Sequence, residues 1–387
     1  MTSLSDLYDD LLMLILSRVD IKTRLRSQSV SGRFLQLVKQ SPSWTLDQRL
    51  VLDPQNGLIN GCHGIPLKDW CRVVRKIMEF TTIRSLHLKH SNKPPPSSVL
   101  DHAWLQLILS QFWCNPSGVQ LRSLSASYQN AHGVLSFINW CVINSRSSLS
   151  SVQLQLRKEE IGPLNTESID VVVLLNSLIM CNSMRQLSLG GSRQTFVAAI
   201  LGGSALRGKC LEKLSFYDCS FSAEEVAKIC NALQSGSLKQ LRLIRVKYFK
   251  LGDFCRLLNA EVKAGLREVE YLTPKSAFDS SFDTELIGCL PFLPTVYPNV
   301  RKFVVWANST TYEEKQVMPL LRKFVDACEG SVKGRNLEFN TEVNTSGNLR
   351  TFLQRNFEPI ICESAVFYGH QSVRISSLYC TLDLTIG

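Results

Sequence analysis

The N-terminal residues contain one strongly apolar segment and two amphipathic ones. Residues 11–16 are apolar at every position, and helical spacing distributes their side chains over most of a helix surface. One face carries Leu12, Ile15, Leu16 and Val19, and much of the remainder carries Leu11, Met13 and Leu14. Two short helices expected around Thr23–Ser31 and Arg33–Gln40 can cover only one side. A helix that is apolar nearly all round must be buried nearly all round. The sequence therefore predicts a second apolar surface, supplied by the rest of the chain or by a separate protein.

A short strand-like phrase recurs along most of the remaining chain, and helical stretches separate its copies. Almost every copy has the form L-x-x-L-x-L, with other apolar residues at some of the leucine positions. The eight copies are 83–88, 121–126, 149–154, 184–189, 211–216, 238–243, 266–271 and 300–305. Several successive copies begin 27 or 28 residues apart, for example at Leu211, Leu238 and Leu266. The fullest copy continues through Cys219 to Phe221, which is the complete leucine-rich repeat pattern. The predicted fold class is therefore α/β, with strand–helix repeats stacked in a horseshoe-shaped solenoid whose strands line the concave side.

The helical stretches show helix-start signals and apolar spacing. Ser222–Glu225 is a capping box, and the apolar positions that follow it at helical spacing are Val226, Ile229, Cys230 and Leu233. Strand alternation turns the third, fifth and seventh positions of each phrase away from the core. In the later copies these positions hold large side chains of the kinds in which protein interfaces concentrate their energy. The candidate target-binding residues are Lys213, Tyr217, Arg242, Ile244, Leu272, Lys302 and Trp306. For Ile244 and Leu272 the alternative is packing under a C-terminal loop.

Charge and cysteine content limit the possible environments. The net charge of +10 is dispersed, without a run of Lys or Arg, so nucleic-acid binding is not favoured. The thirteen cysteines are odd in number and loosely spaced, and the apolar N-terminal run follows acidic residues rather than a basic start. We therefore expect reduced cysteines and a cytoplasmic or nuclear location, without membrane insertion.

Two patterns suggest chemistry but do not complete a site. Gly203–Lys209 matches the first seven positions of a phosphate-binding loop, but Cys210 stands where a magnesium-binding hydroxyl is needed. Cys62, His63 and Cys71 offer three metal ligands where structural zinc requires four. We expect no catalytic residues, no metal and no cofactor. A nucleotide-binding enzyme would require the loop at 203–210 to hold phosphate.

The N-terminal segment resembles an F-box. The similarity lies in Leu7–Asp20, in Val30–Phe34 and in Trp44, and Tyr8 stands where the family usually has proline. Because tyrosine does not fix φ as proline does, the sequence alone does not determine how strongly this segment contacts an adaptor. The resemblance implies that the segment binds a Skp-type adaptor and, through it, a cullin. The adaptor-binding positions it implies are Leu7, Tyr8, Leu12, Ile15, Leu16, Val30, Arg33 and Phe34.

An F-box followed by leucine-rich repeats is similar to a known architecture of ubiquitin-ligase substrate receptors. The expected domains are an F-box at 1–48, a junction with a helix at 49–82, leucine-rich repeats at 83–330, and degenerate repeats with a cap at 331–387. The resemblance implies a noncatalytic substrate-recognition subunit of an SCF-type cullin–RING ubiquitin ligase, which presents an unidentified target protein. The alternative is a leucine-rich-repeat scaffold for protein interactions without a ligase role.

Overall fold

The computed structural model divides the chain into two compact units, Met1–Met184 and Arg185–Gly387. The residues it describes are 7–40, 48–53, 58–62, 65–89, 100–128, 132–156, 173–174, 176–178, 180–190, 211–219, 221–233, 237–246, 256–272, 292–300, 302–306, 337–342, 361–367, 370–376 and 380–386. No helix in these ranges is long and apolar enough to cross a bilayer.

The first unit begins with three short helices, α1 (Asp9–Arg18), α2 (Ile21–Ser27) and α3 (Gly32–Gln40). Asp9 and Asp10 in the first turn of α1 and Arg18 in its last turn complement the helix dipole. The core of this module consists of buried aliphatic and aromatic side chains from α1 and α3. They are Leu12, Leu16, Phe34, Leu37 and Val38.

The sheet of the first unit has the strand order β2-β1-β3-β4-β5. Its strands are β1 (Arg49–Asp53), β2 (Leu58–Ile59), β3 (Ile83–Leu88), β4 (Val119–Tyr128) and β5 (Ser151–Leu156). β1, β3, β4 and β5 pair in parallel, and β2 pairs with β1 antiparallel. Helices α4 (Leu67–Phe80), α5 (Leu100–Cys114) and α6 (His132–Asn144) alternate with the later strands. Parallel neighbours need such crossovers, because the chain must return to the same end of the sheet.

Strand β1 was not expected, since the sequence places only a helix in residues 49–82. That helix is present as α4, and Trp70 anchors its start by donating from Nε1 to the Ile65 carbonyl over 3.0 Å. The parallel sheet thus begins before the first copy of the repeat phrase. The predicted boundaries of the four domains stay predictions.

The second unit contains five parallel strands in chain order, β6 (Gln186–Gly190), β7 (Lys213–Tyr217), β8 (Gln240–Ile244), β9 (Glu268–Leu272) and β10 (Lys302–Trp306). Its described helices include α7 (Ala223–Ala232), α8 (Ala260–Gly265) and α9 (Leu293–Val296). The predicted capping box is confirmed at α7, where Ser222 and Glu225 each accept the other's backbone N–H.

Each strand from β6 to β10 begins two residues after the first residue of its phrase. Leu211, Leu238 and Leu266 are buried just before β7, β8 and β9. The residue after each of these leucines donates its N–H to the equivalent residue of the preceding copy, as Lys239 does to Glu212 over 2.8 Å. The next apolar pairs point into the core, for example Leu214 with Phe216. The alternation of buried and more exposed positions follows the sequence pattern in β8, whereas in β7 the intervening Ser215 is buried as well.

Residues 337–386 contain a separate four-stranded sheet in the order β11-β14-β13-β12. Its strands are β11 (Leu337–Glu342), β12 (Ile361–Phe367), β13 (His370–Ser376) and β14 (Cys380–Ile386). β12, β13 and β14 pair antiparallel, whereas β11 and β14 pair in parallel. Only two or three residues separate β12, β13 and β14 in sequence, too few for a parallel crossover. The fold is thus a helical N-terminal region followed by α/β structure with a sheet rich in parallel pairs.

Candidate protein-interaction surfaces

Helix α1 buries one side and exposes apolar side chains on the other. Leu12 and Leu16 are buried, while the solvent-facing positions i, i+3, i+6 and i+7 from Tyr8 hold apolar side chains. Among the side chains of the module that the structure describes, the exposed large apolar ones are these four and Val30, which follows α2: Tyr8, Leu11, Leu14, Ile15 and Val30. We call Tyr8, Leu11, Leu14 and Ile15 the α1 stripe. The structure confirms that the described neighbours of α1 leave much of its apolar surface uncovered.

Arg33 on α3 fixes the beginning of α1. Its guanidinium donates from Nη2 to the Leu7 carbonyl over 2.6 Å and from Nε to Asp9 Oδ1 over 2.8 Å. Between these two contacts, Tyr8 adopts φ −62° and ψ 149°, a φ within the range that proline imposes. Tyr8 therefore keeps the backbone conformation expected of proline at this position, and Arg33 supplies part of the constraint.

Asp20 joins α2 to the segment that follows the helices. Its carboxylate accepts the Thr23 N–H over 2.9 Å and caps α2, and the Cys62 thiol donates to Oδ1 over 3.4 Å. The Thr23 N–H lowers the pKa of the Asp20 carboxyl, outweighing the opposing effect of partial burial. Burial of Cys62 raises the pKa of its thiol, so the thiol remains a proton donor near neutral pH.

The structure sorts the implied adaptor-binding residues into two groups. Leu12, Leu16 and Phe34 are buried within the helical module, so their described environment is the module's own core. Tyr8, Ile15, Val30 and Arg33 are exposed, and Leu7 is half-buried. The sequence reasoning left Leu11 and Leu14 out of the implied set, although their apolar character on a short helix was the available signal. The assignment of all eight residues to adaptor binding stays a prediction.

Strand pairing in the second unit aligns the candidate target-binding residues in rows. The first row runs Lys213, Gln240, Glu268 and Lys302, and the third runs Tyr217, Ile244, Leu272 and Trp306. The middle row contains Ser215, Arg242, Glu270 and Val304. Lys213 is exposed, while Tyr217, Arg242 and Ile244 are partly exposed. The side chains of Leu272, Lys302 and Trp306 lie outside the described residues. The register brings the candidates onto adjacent strands, and their role in target binding stays a prediction.

Two carboxylates on β9 that the candidate set omitted engage side chains on β8. Arg242 Nε lies 2.9 Å from Glu270 Oε2, and Gln240 Nε2 donates to Glu268 Oε2 over 2.7 Å. These contacts follow from register, because each pair occupies directly opposed positions. The rows are therefore a surface of mixed charge in which Arg242 already has a carboxylate partner.

A second ion pair follows the strands. Asp218 and Arg245, which come directly after β7 and β8, both have φ +53°, in the left-handed region. The Arg245 guanidinium contacts both carboxylate oxygens of Asp218 at 2.6 and 2.7 Å, and this hydrogen bonding raises the pKa of Arg245. Cys219 follows Asp218 and is buried, donating from Sγ to the carbonyls of Tyr217 and Leu189 at 3.2 and 3.7 Å. The Asp218–Arg245 pair, which the sequence did not predict, thus lies in the turns that follow the strands of two successive repeat phrases.

The described residues contain no group of three His, Cys, Asp or Glu side chains placed to hold a metal ion. His63 and the loop 203–210 lie outside those residues. The cysteines whose side chains the structure describes are not joined in disulfides: Cys62, Cys71, Cys114, Cys141, Cys181, Cys219 and Cys230.

Comparison with known protein families agrees with the architecture of the N-terminal helices. Residues 4–46 match the F-box domain. A search of curated proteins finds no match to the chain. F-box domains bind Skp-type adaptors. The three helices and their connections therefore form an F-box domain, as the sequence resemblance predicted.

Proposed function

We propose that this protein is the substrate-recognition subunit of an SCF-type cullin–RING ubiquitin ligase. Its F-box domain binds a Skp-type adaptor, which links the chain to a cullin, and its later repeats hold a target protein for ubiquitination. Catalysis belongs to other subunits, while this chain contributes proximity and choice of target. The location that fits this role is the cytoplasm, the nucleus or both.

The α1 stripe is the observation that carries the proposal. A short surface helix normally turns its apolar side chains inward and presents polar ones to water. The four residues of the stripe, three in α1 and Tyr8 at its N-cap, are apolar and solvent-exposed, and Val30 after α2 is exposed as well. Completing the burial of one leucine or isoleucine side chain that is half-exposed contributes about 1 kcal/mol. Several such side chains together supply a binding energy that the described part of the chain does not use.

We propose the leucine-rich repeat as the fold that follows the F-box, with the domain boundaries given above. The support is the parallel pairing of one strand per phrase, at the 27-residue separation of Leu211 from Leu238. Further support comes from Cys219, which occupies the Asn/Cys position of the pattern and donates to backbone carbonyls in the turn.

For target binding we propose the rows of β7 to β10, with the candidate set from Lys213 to Trp306. Tyr217 and Ile244 are adjacent in register and partly exposed, so they offer an apolar contact next to the charged pair Arg242–Glu270. An aromatic anchor beside a patterned charge pair provides both energy and orientation for a protein partner.

Adaptor binding is tested on the full chain with purified Skp-type adaptor. We expect Leu14→Glu to abolish capture, because a charge at the centre of an apolar contact remains unpaired. Leu107→Glu is the matched control, since Leu107 on α5 is 51% exposed and Leu14 is 55% exposed. If both variants remain folded and bind the adaptor like the wild type, the α1 stripe is not the adaptor site.

Target capture is tested by affinity purification with and without proteasome inhibition, read by mass spectrometry. The expected targets are proteins whose captured amount increases on proteasome inhibition and falls when the Tyr217→Ala variant is the bait. Tyr217→Ala should weaken the binding of such a target by about 1–3 kcal/mol. Trp113→Ala, which removes an exposed aromatic from α5, is the control. Partners whose captured amount is the same with and without proteasome inhibition would instead indicate a scaffold without a ligase role.

A further inference from the structure

Helix α1 begins without the kind of side-chain cap that starts α2. Its N-cap residue is Tyr8, whose side chain makes no capping hydrogen bond. At α2, by contrast, the Asp20 carboxylate accepts the Thr23 N–H over 2.9 Å. Tyrosine is not among the residues that satisfy the N–H groups of a helix start, and it does not fix φ as proline does. The first turn of α1 therefore needs another source of order.

Arg33 makes contacts on both sides of Tyr8. Its Nη2 donates to the Leu7 carbonyl over 2.6 Å and lies 2.6 Å from Asp9 Oδ1, to which Nε donates over 2.8 Å. We call Arg33 with these two acceptors the entry clamp. The donors belong to one rigid planar group and the bonds are charge-assisted, so the clamp fixes the position of the Leu7 carbonyl relative to the Asp9 carboxylate.

The backbone that the entry clamp encloses has the conformation that proline would adopt. Tyr8 has φ −62°, and proline fixes φ at about −65°. In the described part of the chain the Tyr8 N–H donates no hydrogen bond, so a proline ring at this position would remove none. The Tyr8 carbonyl accepts the Leu12 N–H over 3.0 Å, which is the first hydrogen bond of α1. Ordering Tyr8 therefore orders the first turn of the helix.

Tyr8 is also the first member of the α1 stripe, and its side chain is 81% exposed. If the first turn frays, the stripe has no single arrangement, and a partner must order it on binding. That ordering weakens affinity, whereas a surface already ordered before binding avoids the loss. The entry clamp can therefore strengthen adaptor binding without touching the adaptor.

We propose that the entry clamp takes the place of the absent proline, so that Arg33 is a positioning residue for adaptor binding and acts through the backbone of α1. This inference rests on the proposed function, because it requires the α1 stripe to bind a Skp-type adaptor. The Arg33 side chain is 41% exposed and that of Asp9 is 62% exposed. An ion pair at such a surface position changes an equilibrium by up to roughly fivefold.

The test is a cycle of variants of the full chain, each titrated with purified Skp-type adaptor. Arg33→Met removes all the donors of the clamp and should weaken adaptor binding about fivefold. Tyr8→Pro fixes φ covalently but also removes the tyrosine ring, so the informative quantity is the effect of Arg33→Met within the Tyr8→Pro background. There Arg33→Met should change Kd less than twofold. Hydrogen exchange of the α1 amides should show protection that Arg33→Met lowers and that the added Tyr8→Pro restores.

Asp9→Asn and Asp10→Asn form a matched pair that does not require the Tyr8→Pro variant to fold. Both carboxylates are exposed in the first turn of α1, where they complement the helix dipole, and Asp9 is the one that contacts Arg33. Asp9→Asn should weaken adaptor binding about threefold, and Arg33→Met should add less than twofold to that loss. Asp10→Asn should stay within twofold of the wild type.

Three results overturn the inference. Equal losses from Arg33→Met with and without Tyr8→Pro would show that Arg33 acts by direct contact with the adaptor. Equal losses from Asp9→Asn and Asp10→Asn would assign the effect to the helix dipole. Undiminished adaptor capture by Arg33→Met, where the wild type binds, would refute this inference and leave the proposed function standing. A wild type that does not bind the adaptor, with α1 protection still dependent on Arg33, would instead refute the proposed adaptor interaction.

Discussion

Leu14 and Leu16 provide the sharpest test of how α1 works, because they are identical residues on one helix with opposite environments. Leu16 is 4% exposed and Leu14 is 55% exposed. Replacing either with alanine removes the same atoms and leaves the helix propensity nearly unchanged. The two variants therefore separate the stability of the module from its affinity for the adaptor.

The expected magnitudes follow from these exposures. Leu16 is already buried, so Leu16→Ala destabilises the module by about 2–5 kcal/mol, while the adaptor gains little from this side chain in the folded state. For Leu14, truncation to alanine removes the equivalent of about three methylene groups, worth roughly 2.4 kcal/mol if fully buried. If the adaptor covers the exposed half of Leu14, the Leu14→Ala substitution therefore weakens adaptor binding by ~1 kcal/mol, which raises Kd about fivefold to tenfold.

Two measurements on the full chain decide the question. Hydrogen exchange of the α1 amides reports the stability of the module, and titration calorimetry with the adaptor reports Kd. Leu14→Ala should keep the amide protection of the wild type and bind more weakly, whereas Leu16→Ala should lose protection. The reasoning is refuted if Leu14→Ala binds within twofold of the wild type while Leu16→Ala weakens binding without any loss of protection.

Three further outcomes follow from the described contacts. Phe216→Ala should destabilise the second unit by roughly 3–5 kcal/mol in denaturant unfolding, and a cost below ~1 kcal/mol would contradict its placement in the core. Asp20→Ala should cost ~1 kcal/mol through loss of the α2 cap, whereas Asp20→Asn should keep the cap. Because the folded pKa of Asp20 lies below 3.8, its ionic contribution is complete above that pH and is lost as pH falls through the folded value. Asn should abolish that acid-side dependence, and an unchanged profile would show that Asp20 does not contribute. In the native chain Cys114 should react with iodoacetamide at pH 8 before Cys141, whose burial raises its thiol pKa; equal rates would contradict the structure.

The sequence by itself determined the strands that carry the repeat phrase and the helix start at Ser222. Strand β3 spans Ile83–Leu88, the same residues as its phrase. A strand that is buried on one face needs apolar side chains at alternate positions, and this alternation can be seen within the segment itself. The capping box is equally local, since both of its hydrogen bonds join residues three positions apart. The F-box resemblance likewise rests on residues close together in the chain.

Strand β1 shows where local pattern fails. Residues 49–53 have a short apolar alternation but no leading leucine phrase, and they become a strand by pairing with β3 more than thirty positions away. The antiparallel pairing of β13 with β12 and with β14 also depends on which partner strands are available. Strand propensity describes a segment, whereas pairing depends on which other segment is available to accept its hydrogen bonds.

The environment of side chains on α1 and on the strand rows was decided by tertiary structure. An apolar run on every side of a helix does not reveal that Leu16 is buried and Leu14 exposed, because that division depends on where α3 packs. In the same way, Arg242 finds Glu270 only through the register of β8 with β9, which joins residues 28 positions apart. Hydrophobic periodicity identifies the side chains that can be buried, and only the packing of distant elements determines which of them are left for a partner.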